Sequence, residues 1–344
     1  MTEKIIIAID AMGGENAPRK NIEGISIFLK KKVTDNVFFN IFGDQNLIQE
    51  EVSNFKINKK KIKIFHADTV VSDEETPLTA IKNSKNSSMW KSINSQTVSD
   101  SNITISAGNT GVLFVISRMI LKTLEQVSKP ALAGLWPSKK GMSVVLDLGA
   151  NVECDENNLV DFAEMGSALF KSLFPRENPK VALLNIGSEE IKGTEVLKKT
   201  HSKLKHICKL GDFQFDGFIE GNKIMDGNSN VIITDGFTGN IALKTAEGTA
   251  KFITDELKAS LTENIISKIS ILFSYFALKK FKKKLDPRKF NGAIFLGLKG
   301  PVVKSHGSTD ALGFYYAIDL CYRIIKGDLM KKINKNLNHL DDNQ

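Results

Sequence analysis

The sequence has few of the residues from which metal sites and disulfide frameworks are built. Its three cysteines, Cys154, Cys208 and Cys321, lie far apart and lack metal-ligand spacing. Scattered cysteines of odd number indicate buried thiols in a reducing, cytoplasmic setting. The five histidines are also dispersed, which argues against a zinc cluster. We therefore expect neither a metal nor a redox cofactor.

Long apolar runs and several common catalytic motifs are absent as well. No apolar run reaches the length of a transmembrane helix. The first residues, "MTEKIIIAIDAMGG", pass directly into a strand-like segment, so we expect no signal peptide. The chain has no G-x-x-x-x-G-K-[ST] loop, no G-x-G-x-x-G after its first strand and no G-x-S-x-G elbow. Kinases, ordinary Rossmann dehydrogenases and serine hydrolases are therefore disfavoured.

Positive charge is plentiful and locally concentrated. The formal net charge is +8, and seven Lys or Arg residues with one Asp lie between Lys279 and Lys289. Such a stretch can meet nucleic acid, anionic lipid or an acidic protein. No nucleic-acid motif and no basic surface with interleaved aromatic residues accompanies it, so we expect no nucleic-acid partner.

Short runs of Ile, Val, Leu and Phe alternate with helical patterns along most of the chain. Continuous apolar runs of this length are typical of strands that are buried on both faces. Helical patterns lie between them, for example at 161–174 and 239–261. The alternation predicts a mainly parallel sheet with helices on both faces. The seven predicted strands are 4–10, 37–43, 61–67, 102–108, 142–149, 180–187 and 230–236.

The domain organisation follows from the same patterns. We expect a single large α/β catalytic domain over residues 1–330 of this 344-residue chain. Residues 262–290 would protrude from it as a basic amphipathic helical segment, and residues 331–344 would form a polar, frayed tail.

Most of the strand-like runs end in loops of Gly, Asn and Thr, as in "DAMGGENAP" (10–18), "SAGNTG" (106–111) and "TDGFTGN" (234–240). Glycine lets a ligand approach the backbone, and a helix N-terminus favours an anion. Each loop alone is equally an ordinary turn or helix cap. Because ligands of such sheets bind at the carboxyl ends of the strands, the loops together predict a pocket for a small anion such as phosphate. The candidate phosphate- or substrate-binding residues are Gly13, Gly14, Ser106, Gly108, Asn109, Thr110, Gly111, Asp147, Asn151 and Gly239.

Two further loops carry reactive side chains. Lys192 lies in "LLNIGSEEIKGTE" (183–195), where a lysine among glycines suits a phosphate or an oxyanion. Its alternative is a solvated surface lysine. "KSHGSTDA" (304–311) holds Ser305, His306 and Asp310, and residues so close in sequence rarely adopt the geometry of a Ser–His–Asp triad.

The basic amphipathic stretch at 264–292 has three interpretations. It is an ordinary core helix with a solvated basic end, a dimer interface, or an interfacial helix that meets an anionic bilayer or an acidic partner. The candidate contact residues are Leu272, Phe273, Phe276, Lys279, Lys280 and Lys283.

Six motifs resemble, in order and spacing, those of the bacterial phosphate acyltransferase family (PlsX), and the resemblance covers residues 4 to 325. They are "AIDAMGGENAP", "SAGNTG", "LDLGANVECD", "LLNIGSEEIKGTE", "TDGFTGNIALKTAEG" and "GLKGPVVKSHGSTDA". The resemblance implies a Rossmann-like three-layer α/β/α sandwich, similar to isopropylmalate dehydrogenase and phosphotransacetylase. It also implies a homodimer at the inner face of the cell membrane. The expected reaction transfers a fatty acyl group from acyl carrier protein to inorganic phosphate. The acyl phosphate then feeds a glycerol-3-phosphate acyltransferase in phospholipid synthesis.

The resemblance also carries residue roles. It implies that Lys192 and Asn240 are catalytic, with Lys192 at the phosphate or the developing oxyanion and Asn240 donating a hydrogen bond to the same centre. His306 would protonate the leaving thiolate. The sequence departs from the usual family pattern at Glu15, Asn16, Lys82 and Val112. Rival hypotheses are a phosphotransacetylase-like enzyme that uses acyl-coenzyme A, a dehydrogenase on the related fold, and a membrane-associated scaffold of lipid-synthesis enzymes.

Overall fold

The computed structural model describes residues 4–32, 35–72, 74–209 and 211–341. Within these ranges one eleven-stranded sheet runs through the protein, in the order β3-β2-β1-β4-β11-β10-β5-β6-β9-β7-β8. The strands are β1 (Ile5–Asp10), β2 (Val37–Gly43), β3 (Ile62–His66), β4 (Ile103–Ser106), β5 (Ala131–Ser138), β6 (Gly141–Leu146), β7 (Lys180–Asn185), β8 (Gln214–Glu220), β9 (Val231–Ile233), β10 (Ala293–Leu296) and β11 (Val302–Lys304).

Helices cover both faces of this sheet. They are α1 (Arg19–Lys31), α2 (Gln45–Asn54), α3 (Pro77–Asn83), α4 (Ser88–Asn94), α5 (Thr110–Leu121), α6 (Glu156–Leu173), α7 (Glu195–Ile207), α8 (Gly236–Thr262), α9 (Ile265–Lys284), α10 (Ala311–Lys326) and α11 (Leu329–Asp341). One buried cluster joins the sheet to α1, α2, α6, α7, α10 and α11, while a second joins the opposite face to α3, α4, α5 and the start of α8. The expected three-layer α/β/α architecture is therefore confirmed.

The strands form because apolar side chains fill both faces. In β1, Ile7 and Ile9 belong to one cluster with no exposed surface, and in β9 Ile232 belongs to the other. All seven predicted strands are present, and most neighbouring strands are parallel.

A reversal of strand direction divides the sheet. Strand β10 is antiparallel to both β11 and β5, and β5 is antiparallel to β6. Strands β1, β4 and β11 therefore point one way, and β6, β7 and β9 point the other. The loops that follow the first three strands leave one edge of the sheet, and the loops that follow the second three leave the opposite edge.

Helices α8 and α9 pack against each other as a helical hairpin. Most of the described side chains of α9 are exposed, including Phe273 at 88% and Phe276 at 82%. The interpretation of this stretch as a core helix is therefore wrong, because most of its described large apolar side chains are exposed to solvent. Leu272 lies in α9, and its side chain is outside the described set.

The C-terminal segment differs from the expected polar tail. Helix α11 extends to Asp341, and Ile333 and Leu337 are each 1% exposed in the larger core cluster. Apolar residues four positions apart share one helix face, and this spacing within a lysine- and asparagine-rich sequence produces a packed amphipathic helix. Residues 342–344 of the expected tail lie outside the described residues.

Candidate functional site

Three loops meet at the edge where β1, β4 and β11 end, and we call residues 11–14, 107–111 and 305–308 the glycine cradle. An ideal Cβ on Gly13 would lie 2.6 Å from the Gly108 nitrogen. Gly14 has a φ of +81°, and a Cβ there would lie 2.9 Å from the Gly307 carbonyl oxygen. Only residues without a side chain allow the loops to approach this closely. The structure thus brings together the predicted residues of the first two loops.

The cradle contains the N-terminus of helix α5. Asn109 caps this helix, since its Oδ1 accepts from the Val112 backbone nitrogen at 3.1 Å. Thr110 and Gly111 form the exposed first turn, whose N–H groups have no partners within the helix. The helix dipole and these N–H groups favour an anion. Because the Asn109 side chain caps the helix, the backbone N–H groups of Thr110 and Gly111 are better suited to bind an anion.

Two lysines line the same loops. Lys20, in the first turn of α1, is 5% exposed and its Nζ donates to the Gly307 carbonyl oxygen. Lys304, the last residue of β11, donates through Nζ to the Ala107 oxygen at 3.3 Å and to the Ser305 oxygen. Neither lysine is among the site residues that the sequence predicts. Lys304 lies at this edge because β11 pairs with β4, and Lys20 lies there because α1 begins at the same edge.

His306 lies at the exposed rim of the cradle. Its backbone N–H donates to Asn291 Oδ1 at 2.9 Å, and its Nδ1 lies 3.0 Å from Ser308 Oγ. Partial burial lowers the pKa of His306, and the nearby Lys304 charge adds to the effect. The imidazole is therefore mainly neutral near pH 7, which suits a proton acceptor.

No Ser–His–Asp triad forms from this segment. Asp310 caps α10 through the Gly313 nitrogen and pairs with Arg288 Nη1 at 2.9 Å. Ser305 Oγ instead accepts from Asn291 Nδ2 at 2.9 Å. These partners leave the serine and the aspartate with structural roles in the loop.

Asp147 and Asn151 organise a loop at the opposite edge of the sheet. Asp147 has no exposed surface, and its Oδ1 accepts from the backbone nitrogens of Leu132, Gly149 and Ala150. Its Oδ2 accepts from the backbone and side-chain nitrogens of Asn151. Burial raises the pKa of Asp147, and these hydrogen bonds oppose the rise. Asp147 and Asn151 therefore stabilise this loop, and their assignment to phosphate or substrate binding stays a prediction.

Gly239, Asn240 and Lys192 lie at this second edge. A Cβ on Gly149 would lie 2.8 Å from Asn240 Nδ2, so the exposed Asn240 amide covers that glycine. Lys192 is exposed, and its carbonyl oxygen accepts from Asn185 Nδ2 at 3.2 Å at the end of β7.

The single pocket expected from the sequence is therefore divided. Ser106 and Asn185 end strands β4 and β7, which are six strand spacings apart in the sheet order. At about 4.8 Å per spacing, this places them roughly 29 Å apart, on strands of opposite direction. The loop that carries Lys192 and the glycine cradle therefore leave opposite edges of the sheet.

Helix α8 begins at the second edge, directly after β9. Asn240, Lys244 and Glu247 occupy positions i, i+4 and i+7, and so share a helix face. The charges of Lys244 and Glu247 both act on the pKa of His306. These two side chains therefore lie near enough to His306 for their charges to act on it. No cluster of three or more His, Cys, Asp or Glu side chains suited to a metal occurs in the portion of the chain that the structure covers.

The arrangement of sheet and helices defines a class of α/β protein that includes the phosphotransacetylases. A phosphotransacetylase from Streptococcus pyogenes superposes with a TM-score of 0.63 at 13% identity, covering 96% of this chain and 95% of that one. The EutD phosphotransacetylase from Staphylococcus aureus gives a TM-score of 0.58 at 14% identity, with 94% of each chain covered. At these identities the likeness shows the fold alone.

The chain belongs to the family described as "Fatty acid synthesis protein", the PlsX phosphate acyltransferases, whose model matches residues 5–332. It is 54% identical to the phosphate acyltransferase of Pelagibacter ubique, over 98% of this chain and 100% of that protein. It is 43% identical to the phosphate acyltransferase of Rhodopseudomonas palustris strain TIE-1, over 98% and 95%. None of the helices among the described residues is both long and apolar enough to span a bilayer.

Proposed function

We propose that this protein transfers a fatty acyl group from acyl carrier protein to inorganic phosphate. The observation that carries the proposal is the glycine cradle with Lys20 and Lys304 at its loops. Backbone N–H groups, a helix N-terminus and two ammonium groups form a suitable environment for a phosphate dianion. The names of the curated relatives agree with phosphate as the acceptor.

The proposed reaction is a direct displacement. An oxygen of hydrogen phosphate attacks the thioester carbonyl carbon, a C–O bond forms, and the C–S bond breaks. Neutral His306 accepts the phosphate proton and passes it to the departing thiolate, so that acyl phosphate and carrier thiol are the products. No enzyme nucleophile is needed, since phosphate is already anionic. The protein contributes positioning and charge stabilisation.

Asn240 is assigned to the acyl donor. Its side chain shares a face of α8 with Lys244 and Glu247, whose charges act on His306. An amide N–H in this position is suited to donate to the thioester carbonyl as negative charge develops on its oxygen.

Lys192 requires a second copy of the chain in this proposal. Its loop and its own cradle leave opposite edges of the sheet, and the flanking Ile186 and Ile191 are 82% and 80% exposed. We assign these apolar side chains to the expected homodimer interface. Across this interface, Lys192 would contact the phosphate in the cradle of the partner copy. A site shared between two copies would explain why both edges carry polar glycine loops.

The acyl donor is assigned to acyl carrier protein because of the basic helix α9. Lys279, Lys280 and Lys283 are exposed on it and can steer an acidic protein. The exposed Phe273 and Phe276 on the same helix support peripheral binding to an anionic membrane on the cytoplasmic side. Delivery to a membrane glycerol-3-phosphate acyltransferase follows from this location. The alternative donor is acyl-coenzyme A, because this chain shares the fold of the phosphotransacetylases.

The experiment is a thioester assay with long-chain acyl carrier protein in the presence and absence of inorganic phosphate. Phosphate-dependent loss of thioester, with acyl phosphate trapped as a hydroxamate, is expected. A parallel assay with acyl-coenzyme A at equal concentration identifies the donor. Thioester loss that does not depend on phosphate would overturn the proposal.

A further inference from the structure

The buried carboxyl group of Asp10 has no part in the proposed reaction, yet it lies at the centre of the glycine cradle. Asp10 ends strand β1 and is 1% exposed. Its Oδ2 accepts from Ser106 Oγ at 2.6 Å, and its Oδ1 accepts from the Met12 backbone nitrogen at 3.4 Å. One carboxyl group therefore connects the loop after β1 with the end of β4.

Ser106 extends this connection to the anion-binding turn. Its Oγ accepts from the Gly108 backbone N–H at 3.1 Å. A serine hydroxyl has one hydrogen to donate, and here that hydrogen goes to Asp10. Gly108 stands two residues before the first turn of α5. The direction of that turn thus depends on a chain of two hydrogen bonds that begins at Asp10.

Glycine at position 13 lets the first loop close over the same carboxyl group. A Cβ on Gly13 would lie 2.8 Å from Asp10 Oδ2 and 3.1 Å from Ser106 Oγ. The Asp10–Ser106 pair is therefore covered by backbone, and water cannot replace it from that side.

Electrostatics connect Asp10 to the third loop. Burial raises the pKa of Asp10, whereas the Ser106 hydrogen bond and the positive charge of Lys304 oppose that rise. Lys304 Nζ also donates to the Ala107 oxygen. An ionised Asp10 would repel a phosphate, and the positive charges of Lys20 and Lys304 oppose that repulsion.

We propose that Asp10 is a positioning residue for the phosphate, which it holds in place indirectly through Ser106. The inference rests on the proposed function, because it names the group that shapes the acceptor site. Asp10 does not touch phosphate. Its loss should therefore weaken phosphate binding and leave binding of the acyl donor unchanged.

The test uses the full-length Asp10→Asn variant, which keeps the side-chain shape and removes the charge. We expect KM for phosphate to rise by about tenfold or more, while KM for the acyl donor stays at the wild-type value. The rise in melting temperature that inorganic phosphate gives the wild type should also be lost. Ser106→Ala should change both quantities in the same direction. Asp44→Asn is the matched control, since Asp44 follows neighbouring strand β2 and only caps α2.

The outcomes separate this inference from the proposed function. Wild-type KM for phosphate and an intact phosphate-induced thermal shift in folded Asp10→Asn would overturn the role of Asp10. If that variant does not fold, unchanged values in Ser106→Ala would overturn it equally. If the wild type is stabilised by phosphate but transfers no acyl group, the proposed function fails, and the thermal shift of the variants still decides the role of Asp10.

Discussion

Gly239 packs so closely on the backbone carbonyl of Asp147 that a Cβ atom at residue 239 would lie 1.9 Å from that oxygen. Gly239→Ala should therefore push the first turn of α8 away from the Asp147 loop and destabilise the fold by about 1–3 kcal/mol. Equilibrium urea unfolding measures the change. The matched control is Gly248→Ala in the exposed part of the same helix, where a Cβ meets nothing within 4 Å. That control should stabilise the protein by roughly 0.5–1 kcal/mol. Equal effects of the two substitutions would contradict the close approach.

Replacement of Lys192 tests the second edge of the sheet. Lys192→Ala should reduce acyl transfer by about 10²–10³-fold, the range for loss of an oxyanion-stabilising group, with unchanged circular dichroism because the side chain is exposed. Lys199→Ala, at an exposed position of α7, is the control. Turnover of Lys192→Ala at the wild-type rate would remove this lysine from the mechanism.

Mixing two inactive variants tests whether the site is shared between copies. Lys192→Ala and His306→Ala, dissociated and reassociated in equal amounts, should recover about a quarter of wild-type activity, because half of the dimers would contain one intact site. Absence of any recovery, despite verified subunit exchange, would place both residues in the same chain's site and refute the shared arrangement.

His306 should control the acidic limb of the pH–rate profile. Because partial burial lowers the pKa of His306 below its usual value of 6.5, the neutral base persists at pH 7 and kcat should fall only at lower pH. His306→Gln should lower kcat by about 10²–10⁴-fold and abolish this limb. Stopped-flow measurement of thiol release between pH 5 and pH 8 provides the readout. A limb that survives the substitution unchanged would assign it to another group.

Helix α9 should determine attachment to membranes. Phe273→Gln with Phe276→Gln should release the protein from vesicles of phosphatidylglycerol and phosphatidylcholine, since both rings are exposed on that helix. Activity on soluble acyl carrier protein should persist. Leu47→Gln, at an exposed apolar position of α2, is the control. If flotation of the double variant with vesicles is unaffected, the apolar face of α9 is not the membrane contact.

Glu164 should make the fold less stable as pH rises. Burial, with the charges of Asp212 and Asp161, raises the pKa of Glu164 to about 8 from 4.5. The folded state then holds a proton that the unfolded chain has lost, so stability is highest below pH 4.5 and declines as pH rises toward 8. Glu164→Gln should remove this decline and be the more stable protein at pH 8. Urea unfolding at pH 5.5 and pH 8 measures the difference, and parallel pH dependence in both proteins would contradict it.

The composition of individual segments was enough to predict the layers of the fold but not the direction of every strand. Runs such as 4–10 and 230–236 are identifiable because Ile and Val must fill both faces of a buried strand. Strand β10 has four residues, and β5 contains Gly134 and Pro137. Because short length, glycine and proline all weaken a strand pattern, the sequence does not predict β5 and β10, the antiparallel strands that reverse the second half of the sheet.

The same reversal places some of the predicted site residues at opposite edges of the sheet. Gly13, Gly14 and Gly108 meet because their strands are parallel neighbours, which local patterns predict well. Lys192 follows β7, and no local pattern reveals that β7 runs opposite to β4, so its place at the other edge could not be predicted. The position of Lys20 at the cradle could not be predicted, because nothing near it in the sequence distinguishes it from a surface lysine of an amphipathic helix.

Helix α8 sets a length scale for the proposed reaction. Its 27 residues span about 40 Å, from Asn240 near one end to the turn before α9 at the other. Acyl phosphates hydrolyse readily in water, and a chain-bearing product is poorly soluble. If α9 binds a lipid surface, the site would lie within one helix length of that surface. A newly formed product would then cross only a short distance through water before it reached the next enzyme.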